Sequence, residues 1–526
     1  MNVIDRRRNL IRYSKTDNSF RNMFWGIINK VLVMFWPFLI RYLMIHKIGI
    51  EYLGLSSLFS SILQMMSLAE LGFGSAMVYA MYKPIAENNV DEINALLQFY
   101  KLVYRWIGLI IFIIGIILVP FLQYLVNGSY PDNINIYVLY FIYLLNTVCS
   151  YWLFAYKTAL FTAYHRIDIT SKITGIVNMF MYIAQCAILL LIQNYYVYTI
   201  AIPLATIANN LFTDFFARKK FPDLCGKGTI SKETVKEIKK RVIALLGHKL
   251  GAVVTNSTDN LVISAFLGLS ILAIYNNYYQ IMTSLIGLFA IVNNSLLAGL
   301  GNSIVTDSVK KNYRILKGIT FGNVWAVGWC SICLLCLFQP FIEIWVGKDY
   351  LFPIGTVVLL AIYFYIWKFK DMLAVYKDAA GMWWDDRWKP IVYCLVNIIV
   401  SVVLVKNIGI NGVIIGTIVS QLAVAIPWET YVFFKGYIYK DPSLKGSLKS
   451  YACTMVGYTI VLTIAALITY ICCLKVQSNY KLGTFCIRAI LCITIPNIIW
   501  LAVYRNSAEF TFVWEKIKRK IAKKNE

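Results

Sequence analysis

The sequence predicts an all-α polytopic membrane protein with about 14 transmembrane helices, arranged as two six-helix repeats and two C-terminal helices. Three observations predict this fold class. Of 526 residues, 59% are hydrophobic and 14% are charged, a ratio that an ordinary soluble domain does not need. Apolar runs of about 20 residues or more, enough to cross a bilayer, recur along the whole chain. Short segments of the first half also recur in the second half at a nearly constant spacing.

The first half, 20–217, follows a basic cytoplasmic tail at 1–19 and is predicted to hold six helices. Its first apolar run is too long for the core of a signal peptide and has no small-residue cleavage site, so we expect it to remain as a helix. The other boundaries follow the ends of the apolar runs. The six predicted helices are 20–46, 53–82, 94–126, 134–162, 167–192 and 196–217.

A basic cytoplasmic linker, 218–240, precedes the second half, 241–436. Ser231 is predicted to cap a helix through SKETVKEIKK that continues into the seventh membrane helix. Extra helices 13 and 14 occupy 437–504, before a basic tail at 505–526. The predicted helices of this part are 241–267, 270–304, 313–346, 351–379, 388–407, 411–435, 450–474 and 482–504.

The basic residues are concentrated in alternate loops and in both tails. These segments hold 38 of the 50 Lys and Arg residues, and 217–241 alone holds nine. This is the positive-inside pattern, which predicts that both termini and the basic loops are cytoplasmic. The net charge of +24 is therefore not interpreted as a nucleic-acid surface. The short outer loops leave no external domain for catalysis or for binding a partner.

Two pairs of matching segments carry the internal repeat. PFLQYLV at 120–126 matches PFIEIWV at 340–346, and YKTA at 156–159 matches YKDA at 376–379. The offset of 220 spans six predicted helices, an even number, so the two halves have the same orientation. Parallel repeats place a transport site between the halves near mid-membrane, and alternating access then follows from rocking of one half against the other.

Polar residues recur at helical spacing within the second predicted helix, which indicates that one face lines a cavity. The eighth helix carries polar residues at the corresponding positions, at an offset of 219; one of them is Asn293, which corresponds to Gly74. His248 shares a face of the seventh helix with Asp259. The predicted cavity-lining residues are Ser60, Gln64, Ser67, Asn276, Thr283 and His248.

Ionisable residues inside apolar helices usually face a protein interior or a wet cavity, because facing lipid costs several kcal/mol. The cations Lys30, Arg41, Lys249, Lys157 and Lys377 are predicted to bind the phosphates of an anionic lipid head group. The acids Glu70, Asp259 and Asp371 are candidates for a coupling proton or sodium ion. The alternative is that these side chains reach the membrane interface from helix ends, or are paired structurally.

No motif predicts an enzyme or a bound cofactor. There is no Walker-type phosphate loop, and the three histidines have no metal-ligand spacing. The acidic pair Asp385-Asp386 is interpreted as part of a cytoplasmic turn. The cysteines lie mostly inside apolar runs, where packing is the expected role; examples are Cys330, Cys333, Cys336, Cys472 and Cys473.

Three stretches resemble the Wzx-type polysaccharide flippases of the MOP exporter superfamily, whose fold is MATE-like. They are GIEYLGLSSLFSSILQMMSLAELGFGSA, YKPIAENNVDEINALLQFYKLVYR and TNSTDNLVISAFLGL. The resemblance covers helices 1–12 and extends plausibly to all fourteen. It implies a flippase of the bacterial inner membrane that moves undecaprenyl-diphosphate-linked oligosaccharides to the outer leaflet, driven by an ion gradient. Expected partners are this substrate, membrane lipid, a coupling H⁺ or Na⁺, and glycan polymerase and assembly proteins.

Three alternatives stay open. A peptidoglycan lipid-precursor flippase also has a basic cavity. A multidrug or cation antiporter of the same superfamily is expected to favour acidic cavity residues. A membrane polysaccharide polymerase, which is an enzyme, usually needs a large outer loop, and none is predicted here.

Overall fold

The computed structural model describes Trp25 and residues 34–70, 72–127, 130–382, 384–476 and 480–525. Of the side chains within these ranges, those at 68–69, 243–256, 298, 516–517 and 519–525 are not described. The chain divides into two compact units, Met1–Ala273 (unit 1) and Ile274–Glu526 (unit 2). The described residues form helices and connecting turns without a β-strand, as the sequence predicts.

The described residues of unit 1 form ten helices and the start of an eleventh. Asn89, Asn135, Asn194 and Ser231 each accept a backbone N–H at a helix start through the side chain. Ser231 begins a helix of 36 residues, so the predicted continuation of the linker into the seventh helix is confirmed. The helices are α1 (34–47), α2 (Ile50–Met66), α3 (Phe73–Ala86), α4 (Val90–Leu118), α5 (Leu122–Leu125), α6 (Ile136–Trp152), α7 (Thr158–Ala163), α8 (Ile167–Leu191), α9 (Tyr195–Lys220), α10 (Lys232–Leu267) and α11 (Leu269–Thr306).

Unit 2 continues from α11 through nine further helices. A π-helical turn, Gln421–Ala425, interrupts the helix that corresponds to the predicted twelfth span. The helices are α12 (Val309–Trp345), α13 (Ile354–Phe369), α14 (Asp371–Ala379), α15 (Lys389–Ile408), α16 (Ile410–Ser420), α17 (Ile426–Gly436), α18 (Ser447–Leu474), α19 (Lys481–Tyr504) and α20 (Ala508–Asn525).

Nine helical segments among the described residues are long and apolar enough to cross a membrane, and a bent pair raises this to ten. Their outward faces carry large apolar side chains: Phe180 is 71% exposed and Leu191 is 83% exposed. Such side chains are stable outside a packed core when lipid covers them. The predicted first, second, seventh and tenth spans are not among the ten, so a total of fourteen stays a prediction.

Other predicted helices are interrupted as well. The predicted helix 53–82 is broken by a 3₁₀ turn, Ser67–Glu70, and by Gly72 at φ 80°. The predicted helix 134–162 bends by 48° around Phe154, which has φ 56°. The predicted helix 351–379 divides at Lys370.

The C-terminal segment is ordered as α20 and packs against unit 2. The Phe512 ring packs directly against Gly318. A Cβ on residue 318 would lie only 2.2 Å from that ring. Lys317 pairs with Glu509 at 3.4 Å, and Phe510 packs against the aromatic core around Phe321. The predicted basic tail is therefore an amphipathic helix with one face on the protein.

Candidate functional site

The candidate site lies at the break between α2 and α3 in unit 1. Glu70 is the last residue of the 3₁₀ turn, and Gly72 adopts the left-handed conformation that α3 begins from. Glycine enters that conformation without the steric penalty that a Cβ brings. The break therefore places a carboxylate at the end of a turn, where it faces neighbouring helices.

Two tyrosines hold the Glu70 carboxylate, and a third supports one of them. The Tyr104 hydroxyl donates to Oε1 at 2.5 Å, and the Tyr151 hydroxyl donates to Oε2 at 3.1 Å. Tyr100 donates to the Tyr104 hydroxyl at 2.8 Å. Hydrogen bonds to an ionised acceptor are the strong ones, so this arrangement fixes the orientation of the carboxylate.

The carboxylate borders a cavity of about 690 Å³, which we call the Glu70 chamber. It is lined by Tyr, Ser and Thr side chains of α3, α4, α6 and α7. Gly74 keeps this part of the cavity open, since a Cβ on residue 74 would lie 2.9 Å from the Tyr100 hydroxyl. The polar and aromatic lining residues are Glu70, Ser75, Tyr79, Tyr82, Tyr100, Tyr104, Ser150, Tyr151, Thr158 and Thr162.

Positive charge lies at the rim of the Glu70 chamber. The Arg241 guanidinium is 3.7 Å from the centroid of the Tyr79 ring, a cation–π contact. His165 stacks on Tyr82 with the ring centroids 5.8 Å apart. The residues that line the chamber include no Lys or Arg. The described site thus combines an acidic, hydroxyl-rich interior with a cation against its outer tyrosine.

The predicted polar face of α2 is partly engaged by α10. Asn260 donates to the Ser61 hydroxyl at 2.8 Å, and Ser257 donates to Gln64 at 3.3 Å. Asp259 lies between these two contacts on α10 and is 6% exposed. Two other predicted lining residues have separate surroundings: Ser60 is exposed, and Ser67 donates to the Gln64 carbonyl at 2.7 Å.

Lys157 in unit 1 is buried in an ion pair rather than exposed to the Glu70 chamber. It pairs with Asp214, which also accepts from Arg218 at 2.8 Å. Arg166 pairs with Asp168 at 2.9 Å, and both are buried. The Lys157–Asp214 pair ties α9 to the segment that precedes α7, and the Arg166–Asp168 pair is local to the start of α8.

In unit 2, a connected set of ion pairs holds α13, α14, α15 and α17 together. Lys377 pairs with the fully buried Asp386, which also accepts from Lys389 at 2.8 Å. Lys389 continues to Glu429 at 2.5 Å, and Lys370 reaches the same carboxylate at 2.9 Å. We call these five residues the unit 2 ion network. Asp386 lies in a turn, as predicted for the pair Asp385-Asp386. The ion pairs with Lys377 and Lys389 show in addition that this turn is anchored to the neighbouring helices.

Asp371 lies beside this network. It accepts from Asn293 at 2.8 Å and from Lys368 at 2.5 Å. Among the other predicted lining residues, Asn276 is buried, and Thr283 donates to the Gln280 carbonyl at 3.0 Å.

The remaining predicted cations are placed as follows. Arg41 lies on α1, within electrostatic range of Tyr198. Lys30 lies outside the described residues, and the side chains of His248 and Lys249 on α10 are not described.

The tyrosines and Arg241 were missed in the sequence interpretation. Tyr100 and Tyr104 are four residues apart on α4, a spacing that places them on one helix face and was the available signal. Arg241 was counted only as part of the basic linker. With 36 tyrosines in the chain, no local pattern distinguishes those that meet Glu70.

No protein-family model and no curated protein matches the sequence. Solved structures do match. A lipid II flippase, MurJ, in an inward closed conformation aligns with a TM-score of 0.66 at 16% identity, over 92% of this chain and 99% of that one. The chain therefore shares the fold of this solved flippase structure. An inward-facing multidrug resistance MATE family transporter of the MOP superfamily aligns with a TM-score of 0.56 at 15% identity, over 77% of this chain and 94% of that one.

Proposed function

We propose that this protein is a MOP-superfamily flippase that moves lipid-linked oligosaccharides across the bacterial inner membrane by alternating access. The Glu70 chamber is the observation that carries the proposal. Its volume of about 690 Å³ is in the range of small-ligand sites, and it lies among helices that are otherwise apolar. The two six-helix halves, with both termini cytoplasmic, belong to the proposal as the framework of the motion.

The lining of the Glu70 chamber suits a sugar. Tyrosine rings offer flat apolar faces to the C–H faces of a pyranose, and their hydroxyls hydrogen-bond to its rim. Glu70 is held by two phenol donors and keeps lone pairs for a ligand hydroxyl. A neutral or amino sugar fits this interior better than a phosphate, because the carboxylate repels an anion.

The rim of the chamber suits the phosphates of the same substrate. Arg241 lies against Tyr79, and guanidinium groups bind phosphate with paired hydrogen bonds. The chamber extends along α3 as far as Tyr82, next to 83–92, and is also lined by Thr158 and Thr162 of 157–172; the positive-inside rule assigns both segments to the cytoplasm. A sugar would enter from that side with its diphosphate following at Arg241. Lys30, Arg41 and Lys249 are proposed as further phosphate contacts along the path.

The experiment is a leaflet assay in cells that lack the chromosomal gene. We expect undecaprenyl-linked oligosaccharide to accumulate on the cytoplasmic side, protected from an impermeant lectin or oxidant added outside, and wild-type protein to restore outer-leaflet exposure. Outer-leaflet exposure restored by Glu70→Gln should be at least about tenfold lower than that restored by wild type, which corresponds to about 1.4 kcal/mol of binding. Glu87→Gln, an exposed carboxylate paired only with Lys83 at 4.0 Å, is the matched control. Normal outer exposure without the protein contradicts the proposal.

A second candidate, a multidrug or cation antiporter, is favoured by one observation. The chamber places a carboxylate among aromatic rings, which is also how proteins bind organic cations. The same deletion strain distinguishes the two functions. Increased sensitivity to cationic dyes with normal surface glycan supports the antiporter, whereas retained lipid-linked oligosaccharide supports the flippase.

A further inference from the structure

Unit 2 contains a cluster of cysteines that the transport site does not use. Cys336 of α12, Cys473 of α18 and Cys492 of α19 have their Sγ atoms within 4.8 Å of one another. They are 4%, 2% and 0% exposed, respectively. In sequence these residues are far apart, and each was interpreted as a packing residue of an apolar helix. The fold brings three helices together at their thiols.

A fourth thiol borders the cluster. Cys333 is one turn before Cys336 on the same face of α12, and its thiol lies within hydrogen-bonding range of Cys492. Cys492 therefore contacts sulfur atoms from both neighbouring helices. The three sulfur atoms that lie within 4.8 Å of one another match a trigonal Cu(I) site, and Cys333, on the Cys492 side, offers a fourth sulfur for a tetrahedral zinc site.

An arginine supplies compensating charge. Arg488 is one turn before Cys492 on α19 and lies within electrostatic range of Cys473 and Cys492. One of its terminal nitrogens donates to the Val476 carbonyl at 3.3 Å, while its Nε is buried and makes no hydrogen bond to the residues that the structure describes. A buried guanidinium with an unused donor is costly unless an anion lies nearby. Packing of neutral thiols gives no reason for this charge, whereas a thiolate–metal centre does.

We propose that Cys336, Cys473 and Cys492, with Cys333 beside them, form a binding site for a thiophilic d¹⁰ cation, Zn²⁺ or Cu⁺. Zn–S bonds of about 2.3 Å require sulfur atoms about 3.8 Å apart in a tetrahedral site, so only a small contraction is needed. Binding releases the thiol protons to solvent as the thiolates form. Three thiolates and Zn²⁺ carry one net negative charge, which Arg488 balances. Cys473 is the penultimate residue of α18, so an ion can reach the cluster from that helix end.

The test uses the full-length protein, purified in detergent with a phosphine reductant and stripped of metal. Zn²⁺ is titrated against a chromophoric chelator, and Cu⁺ is titrated separately against bathocuproine disulfonate. We expect about one tightly bound ion per chain for wild type and a loss of at least tenfold in affinity for Cys492→Ser. Cys486→Ser is the matched control, because Cys486 is an exposed cysteine on the same helix, and it should bind as wild type does.

A second measurement does not depend on the folding of a variant. Wild-type protein is alkylated with a maleimide with and without one equivalent of metal, and the modified cysteines are identified by mass spectrometry. The metal should slow modification of Cys336, Cys473 and Cys492 and leave that of Cys486 unchanged. Failure of wild type to outcompete either chelator overturns the proposal. So does equal binding by Cys492→Ser, or a disulfide among these cysteines in protein purified without reductant.

Discussion

Positions that the internal repeat matches have different surroundings in the two units: they border a cavity in unit 1 and are filled by packed side chains in unit 2. Gly74 of unit 1 corresponds to Asn293 of unit 2 at the offset of 219, and the same offset matches Glu70 to Phe289. In unit 1, glycine leaves space and the carboxylate faces the Glu70 chamber. In unit 2, Phe289 packs on Phe364 with the ring centroids 6.2 Å apart, and Asn293 donates to Asp371 at 2.8 Å.

This difference shows how one repeated pattern can serve two purposes. The acids of unit 2 are satisfied by lysines: Asp371 by Lys368, and Asp386 and Glu429 by the unit 2 ion network. Glu70 of unit 1 is instead satisfied by phenol hydroxyls, which leave its charge available to a ligand. We infer that the charges at these positions of unit 2 hold its helices together, while Glu70 of unit 1 binds a ligand.

The largest effect is expected when the unit 2 ion network is broken. Lys377→Met leaves Asp386, which is fully buried, with less compensating charge, and such losses destabilise proteins by about 3–5 kcal/mol. Lys157→Met in unit 1 should behave similarly, because Lys157 is buried against Asp214. Thermal unfolding in detergent measures both.

The control for this prediction is Lys435→Met, which removes a surface cation that donates to the hydroxyl of the exposed Tyr431 side chain. It should melt as wild type does. If Lys377→Met and Lys157→Met also melt as wild type does, these lysines do not hold the helices together, and their assignment as substrate-binding cations regains support.

The second prediction replaces Gly74 of unit 1 with asparagine, the residue at the corresponding position of unit 2. Gly74→Asn puts a side chain where even a Cβ would lie 2.9 Å from the Tyr100 hydroxyl, so it fills the chamber beside Glu70. We expect at least about a tenfold loss in the leaflet assay, equal to about 1.4 kcal/mol of lost binding, with the protein still present in the membrane.

Gly457→Asn is the matched control for this chamber-filling substitution. It places the same side chain on a helix where a Cβ meets nothing within 4 Å, so any general penalty for asparagine in a membrane helix is shared. Full transport by Gly74→Asn means that the chamber does not hold substrate, and the contrast between the two units then has no functional meaning.

The sequence predicted the fold class and one member of the candidate site for physical reasons. Long apolar runs are sufficient to identify membrane helices, and a carboxylate inside one of them is expensive enough to indicate a special environment, as for Glu70. The repeated Tyr-Lys pair also indicated that Lys157 and Lys377 have related roles. These features are local, or depend on composition, and so are readable from the chain.

The parts of the site that the sequence did not predict depend on contacts between segments that are far apart in the chain. Lys157 lies 57 residues from Asp214, and Glu70 lies 81 residues from Tyr151. No local spacing specifies such partners. The same limit applies to the thiols of Cys336, Cys473 and Cys492, which only helix packing brings together.

The smallest predicted effect concerns the hydroxyls around Glu70. Tyr104→Phe removes the 2.5 Å hydrogen bond to the carboxylate, and bonds to charged groups contribute about 1.5–3 kcal/mol. Tyr100→Phe removes only a bond between two neutral hydroxyls, which contributes about 0.5–1.5 kcal/mol. Because water in the chamber can replace either hydroxyl, we expect both losses near the lower ends of these ranges. Transport in the leaflet assay should therefore fall more in Tyr104→Phe than in Tyr100→Phe. The reverse order would mean that Glu70 is not the centre of the site and that the outer tyrosines bind the ligand without it.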